Sequence, residues 1–117
     1  MSKITSLNDL EIYTKSIDLC LEVMQLCKEK ELVKDYWLVD QLKRASSSVA
    51  VNIAEGYGRF TQKDFAYFLS IALGSCNELT AFFDILLKQE VQTDKITKLK
   101  EEYVLLSKRM YMFRKSL

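Results

Sequence analysis

Glu55 and Glu78 are carboxylates set into otherwise apolar helix faces, and two such groups are the minimal equipment for acid–base chemistry. A helix-borne glutamate in that setting more commonly pairs with an arginine or accepts backbone N–H groups. The run Ala45-Ser46-Ser47-Ser48-Val49-Ala50 offers hydroxyls, but a serine nucleophile needs a base and the chain has no histidine. Its small side chains are poor helix formers when exposed and suit the close approach of a second helix. Cys20 and Cys27 lie two helical turns apart, roughly 10 Å, too far to form a disulfide. They read as small core residues rather than reactive thiols. No CxxC, HExxH, Gly-rich phosphate loop or cluster of carboxylate ligands occurs. The expectation is therefore a protein without catalytic residues, cofactor or metal.

The elements that would carry these residues read as helices. With 117 residues, no proline, three glycines and 49% hydrophobic side chains, the chain favours one domain of continuous helices over a turn-rich β fold. Ser6, with Asp9 nearby, opens a first helix over about 7–30. There, Leu10, Ile17 and Met24, with Tyr13, Cys20 and Cys27, form one seam at heptad spacing. Ile12, Leu19, Val23 and Leu26 form a second apolar row about 130° round the helix. One stripe is enough for a bundle helix, so the second row is assigned to contact with another subunit.

A charged connection, 28–35, leads to Tyr36 and Trp37, which are expected to pack across the top of the bundle. A second helix over about 37–55 places Leu38, Leu42, Ala45, Val49 and Ile53 on one face. The third, about 62–89, starts after Thr61 with Asp64 as a cap signature. Its two adjacent apolar seams leave only a narrow strip for water. Between these two helices Gly56 is expected in the left-handed conformation that closes a helix, with Gly58 reversing the chain. Gly74, in mid-helix, costs about 1 kcal/mol relative to alanine, which close approach of another helix would explain. The fourth helix, about 94–117, repeats Ile96, Leu99, Tyr103, Leu106, Met110, Phe113 and Leu117 at three- and four-residue steps. Its outer side is basic, either as a solvated face matched to the helix dipole or as a surface for phosphates.

Net charge is +1, so no overall field demands nucleic acid. The charge is unevenly spread: residues 41–63 carry four basic and one acidic side chain, and 95–117 carry seven and two. An odd number of cysteines fits a reducing cytoplasm. With no leader and no apolar run near the ~18 residues of a membrane span, no membrane contact is expected.

Gln41-Leu42-Lys43-Arg44-Ala45, Ser48-Val49 and Asn52-Ile53-Ala54-Glu55-Gly56-Tyr57-Gly58-Arg59 together resemble the central signature of a bacterial family. Its members are the four-helix-bundle proteins encoded within intervening sequences of 23S rRNA genes. Phe65, Phe68-Leu69, Ala72, Gly74-Ser75 and Glu78-Leu79 resemble its second helical signature, and a weaker likeness covers nearly all of the chain. The family is similar to the accessory variability determinant of diversity-generating retroelements, which works beside a reverse transcriptase. The resemblance implies an all-α, antiparallel up-down-up-down four-helix bundle, assembled as a ring-shaped homopentamer and without catalytic activity. It implies a structural signature of Asn52, Glu55, Gly56, Gly58, Gly74 and Glu78. It also suggests RNA or DNA binding on a positive surface, for which Lys43, Arg44, Arg59 and Lys63 are the candidates, clustered by ring symmetry. The rival expectation is a scaffold that binds a partner enzyme, such as a reverse transcriptase, with little nucleic-acid affinity of its own.

Overall fold

Ser6 and Asp9 do form a cap, but of a 3-10 turn over Leu7–Asp9 rather than of the first long helix. Ser6 donates to the Asp9 carboxylate from its backbone N–H (3.0 Å) and its hydroxyl (3.3 Å). The first helix, α1 (Glu11–Leu26), starts after extended Leu10, and residues 27–35 then run through turns. It is shorter at both ends than the expected 7–30: residues 7–9 form the 3-10 turn, and the charged stretch 28–35 runs through turns that dock only Leu32 into the core. The computed structural model describes residues 6–117, so positions 1–5 of the expected 1–117 domain lie outside the described residues. Helix α2 (Tyr36–Tyr57) is capped by Asp35, which accepts from the Leu38 N–H at 3.2 Å. Helix α3 (Gln62–Lys88) is capped by Thr61, accepting from the Asp64 N–H at 3.1 Å. Helix α4 (Thr93–Lys115) follows a tight turn.

The cross-helix contacts give the topology. Trp37 meets Phe82 and Ser48 meets Ser75, so α2 and α3 run in opposite directions. Phe83 with Tyr103, and Phe65 with Phe113, set α4 antiparallel to α3. Cys20 against Ser46 and Lys15 against Glu102 join α1 to both α2 and α4. Each helix touches its two neighbours around a square, which is the expected all-α four-helix bundle.

The glycines behave differently from expectation. Every described glycine has negative φ, and the left-handed residues are Glu90 (φ 58°) and Gln92 (φ 45°) in the α3–α4 turn. Gly58 closes α2 with right-handed φ −78°. Gly56 lies inside α2, and what it supplies is space. A Cβ there would sit 2.8 Å from Phe65 Cδ1 and 2.9 Å from Phe68 Cβ. The turn forms because a helix without a side chain at this point lets the start of α3 fold against it. Gly74 shows the reverse. No atom lies within 4 Å of where its Cβ would be, so no helix of the same chain explains it.

The core corrects the first-helix reading. Ile12, Leu19, Val23 and Leu26, assigned above to a subunit contact, are all buried within the single chain. A helix at the corner of a square bundle has two neighbours, and its apolar arc must be wide enough to meet α2 and α4 together. The large apolar residues of α1 left exposed are Ile17, from the seam expected to be core, and Leu21. Tyr36 and Trp37 also lie outside the core: Trp37 reaches Phe82 only edge-on, with centroids 5.8 Å apart, and is 64% exposed. By length and composition alone α3 could cross a membrane, although 39% of its most apolar window is buried in the bundle. That apolarity exists because α3 has large apolar side chains on its outer face as well as its inner one.

Cys20, Cys27 and Cys76 are free and buried, as expected of core residues. Burial pushes the Cys76 thiol up to about 11 and raises Cys27 as well. Tyr103 is fully buried, and its hydroxyl has no hydrogen-bond partner among the described residues. Burial also holds its ionisation far above the ordinary range. An unpaired buried hydroxyl costs about 1–3 kcal/mol, so Tyr103→Phe is expected to leave stability unchanged or raise it by about 1 kcal/mol. Urea unfolding reads this directly, and a loss above 1 kcal/mol would show that the hydroxyl has a partner.

Candidate nucleic-acid interface

The four basic residues read from the sequence do not form one cluster in the subunit. Lys43 and Arg44 sit in the middle of α2, whereas Arg59 follows its end and Lys63 lies in the first turn of α3. Thirteen residues of helix and a short turn separate Arg44 from Arg59, roughly 20 Å along the axis. Both arginines are already engaged. Arg44 binds the Glu78 carboxylate at 2.5 Å and Gln41 at 2.8 Å, bridging α2 and α3. Arg59 binds Glu55 at 2.6 Å one turn back, and its guanidinium lies 4.7 Å from the centroid of the Phe68 ring. The two candidate catalytic carboxylates are thus arginine partners on two separate parts of the surface. Both pairs are largely exposed, so each adds little to stability.

Between them runs a polar seam. Asn52 donates to the Ser48 carbonyl at 2.8 Å and to its hydroxyl at 3.0 Å, and the Ser75 hydroxyl meets Ser48 at 2.8 Å. The Ser48–Ser75 and Arg44–Glu78 bonds and the close packing at Gly56 therefore hold α2 and α3 in register, whereas Asn52 bonds within α2 and Glu55 to Arg59 just past its end. Among the described residues no group of three or more His, Cys, Asp and Glu is placed to hold a metal ion.

Other basic groups without a carboxylate partner lie at the start of α3 and along the second half of α4. Because α4 is antiparallel to α3, its last turns lie beside the first turns of α3. Arg114 Nε donates to the Ala66 carbonyl and the Ser70 hydroxyl, each at 2.9 Å. Lys63, Lys108, Arg109 and Lys115 make no ion pair with a described carboxylate. Lys108 and Arg109 line an open groove of about 650 Å³ with Leu10, Ile12, Met112 and Phe113, where Asp9 and Glu11 supply the opposite charge. Lys115 lies over the Tyr111 ring at 6.0 Å. At the opposite end Lys28, Lys30, Lys34 and Lys88 also form no ion pair with a described carboxylate, but they share that end with Glu29, Glu31, Asp35 and Glu90. Lys95 there binds Glu29, and Gln92 donates to both Glu31 oxygens at 3.0 Å. That hydrogen bond is the main reason the Glu31 carboxyl titrates below its usual range.

Arg59 and Lys63 thus belong to the positive end, and Lys43 and Arg44 do not. The fourth-helix cations were visible in the sequence as one basic side. Their position next to the α2–α3 turn needed the antiparallel packing. Sequence reasoning passed over Phe60, the residue between Arg59 and the Thr61 cap. An apolar residue at that position normally packs against the side chain five residues on, here Phe65. In the structure Phe65 is occupied by Tyr57 and Phe113, and Phe60 is 104% exposed.

Comparison with known proteins agrees with this architecture. The family model described as 23S rRNA-intervening sequence protein matches residues 8–112. The chain is similar to a crystal structure from Bacteroides thetaiotaomicron described as a protein of unknown function from the S23 ribosomal protein family. The two are 19% identical, with a TM-score of 0.81 over 89% of this chain and 98% of the other, a likeness of fold. Comparison with curated proteins gives no significant match.

Proposed function

Because this chain belongs to the family of 23S rRNA-intervening sequence proteins, we propose that it is a non-enzymatic, self-associating bundle that serves as a nucleic-acid-binding accessory factor. The observation that carries self-association is the pair of apolar surfaces left on different sides of the bundle. On α2 and α3 these are Val51, Tyr67, Ile71 and Ile85, with Gly74 open among them; on α4 they are Val104, Leu105 and Met112. Two different faces favour a heterologous contact, in which one face of a copy meets the other face of the next, and such contacts form a ring when the rotation between copies closes. A pentamer is one such ring. Each copy would add the unpaired cations of its positive end, so that a chain of net charge +1 presents a repeated array to phosphates.

The second reading is a protein scaffold. It is favoured by the pairing of Arg44 and Arg59 with carboxylates, which leaves the apolar faces as the main unsatisfied surface. Light scattering at micromolar concentration should give a mass that is a multiple of 13.6 kDa. A monomer would sink the ring. Fluorescence anisotropy with labelled RNA and DNA should show binding that weakens with salt, and weakens further in Lys63→Glu and Lys108→Glu. Those lysines are better probes than Arg44, because Arg44→Glu would set two carboxylates against each other across the α2–α3 seam. Absence of binding at low salt would leave the scaffold reading.

A further inference from the structure

We propose that the α2–α3 turn is a stacking site for single-stranded nucleic acid, with Phe60 as the ring on which a base stacks. This rests on the nucleic-acid-binding reading above and names the ligand form and the contact that reading lacks. A phenylalanine left wholly in water forgoes the roughly 1.5–3 kcal/mol that burial of its ring would supply. Here the fold has a ready place for it against Phe65 and fills that place with Tyr57 and Phe113 instead. The ring of Phe60 therefore projects from the end of the bundle without a role in holding it together.

Its surroundings suit a strand with unstacked bases. Immediately before it, the Arg59 guanidinium is held over the Phe68 ring by its bond to Glu55, so a planar cation is fixed beside the aromatic platform. Tyr67 meets Phe68 edge-on at 5.3 Å and is itself 62% exposed. Lys63 precedes Tyr67 by one helical turn, which places an unpaired ammonium group on the same face as that ring. Residues 55–67 together with 108–115 carry six basic and two acidic side chains. Both acids, Glu55 and Asp64, lie beside Phe60 and Glu55 is bound to Arg59, so phosphates meet the net positive charge at Lys63 and along 108–115. Exposed aromatic rings alternating with cations are what sequence-tolerant single-strand binding uses: the rings take base faces and the cations follow the backbone. A duplex keeps its base faces closed in the stack and offers the ring nothing to stack on.

The full chain is tested by anisotropy with a fluorescein-labelled 12-nucleotide RNA of mixed sequence, alone and annealed to its complement. Phe60→Ala is expected to weaken single-strand binding about ten-fold or more, with unchanged melting temperature and unchanged oligomer mass. Phe60→Trp is expected to retain binding. Lys63→Gln should lower the salt dependence by about one phosphate contact, whereas Phe60→Ala should not change it. If the wild-type chain binds and Phe60→Ala binds equally well, the stacking site is wrong and the broader reading survives. An equal loss for the duplex would overturn the single-strand assignment. A change of mass in Phe60→Ala would make Phe60 a subunit contact and overturn the proposal. Failure of the wild-type chain to bind either probe at low salt would remove the nucleic-acid reading and this site with it.

Discussion

Gly56→Ala is expected to destabilise the protein by about 1 kcal/mol and Gly56→Leu by about 2 kcal/mol, although in an isolated helix both changes would be favourable. Alanine in a helix interior gains about 1 kcal/mol over glycine from propensity. Against that, the added Cβ meets Phe65 Cδ1 at 2.8 Å and Phe68 Cβ at 2.9 Å, with the Phe65 carbonyl oxygen at 3.3 Å. Phe68 Cβ and the carbonyl belong to the frame of α3 rather than to a mobile tip, so relief requires α2 and α3 to separate. Overpacking of this kind costs about 1–3 kcal/mol, and the larger leucine lies at the upper end. Gly74→Ala is the matched control. Its Cβ meets nothing within 4 Å in the chain, so propensity alone operates and the folded subunit should gain about 1 kcal/mol. Denaturant unfolding of the three variants decides the matter. A stabilised Gly56→Ala would mean that the turn has slack, and a Gly74→Ala variant of reduced mass would place another copy against that face.

Leu106→Ala should cost about 2–5 kcal/mol, a large share of the stability of a domain this size. Leu106 is 1% exposed and belongs to the buried row of α4 with Ile96, Leu99, Tyr103 and Met110. Its neighbour Leu105 is 45% exposed, and Leu105→Ala should leave the unfolding midpoint of the subunit within about 0.5 kcal/mol. The contrast between adjacent leucines isolates burial from residue type. Where Leu105 contributes to self-association, its truncation lowers the oligomer mass instead, at unchanged helix content. An unchanged melting temperature for Leu106→Ala would refute the assignment of that row to the core.

The α4 row was legible because hydrophobic spacing and burial coincide there: Ile96, Leu99, Tyr103, Leu106 and Met110 keep three- and four-residue steps along one side, and all are buried. The same logic placed Leu38, Leu42, Ala45, Val49 and Ile53 correctly on α2, and Thr61 as the cap of α3. It failed on α1, where two apolar rows compete. Periodicity reports how wide an apolar arc is, not how many neighbours it meets, and Ile12, Leu19, Val23 and Leu26 proved to face the chain's own helices. It also failed at Gly56. Composition cannot distinguish a glycine needed for its φ from one needed for its missing side chain, since both permit a turn.

The nucleic-acid candidates divide along the same line. The residue types, the i,i+4 pairing of Glu55 with Arg59 and the basic side of the fourth helix are properties of the chain read locally, whereas the Arg44–Glu78 bridge needed the packing of α2 on α3. Which cations remain unpaired depends on side chains brought across 16 to 66 positions, as in Lys100 with Asp84 and Lys95 with Glu29. By itself, then, the sequence determined the helices, their order and the buried rows of α2 and α4, because these follow from spacing and caps within single turns. Only the antiparallel packing decided that Lys63, Lys108, Arg109 and Lys115 share one end and that Gly56 gives way to α3. It also left Phe60 in water, because Tyr57 and Phe113 reach the Phe65 ring first.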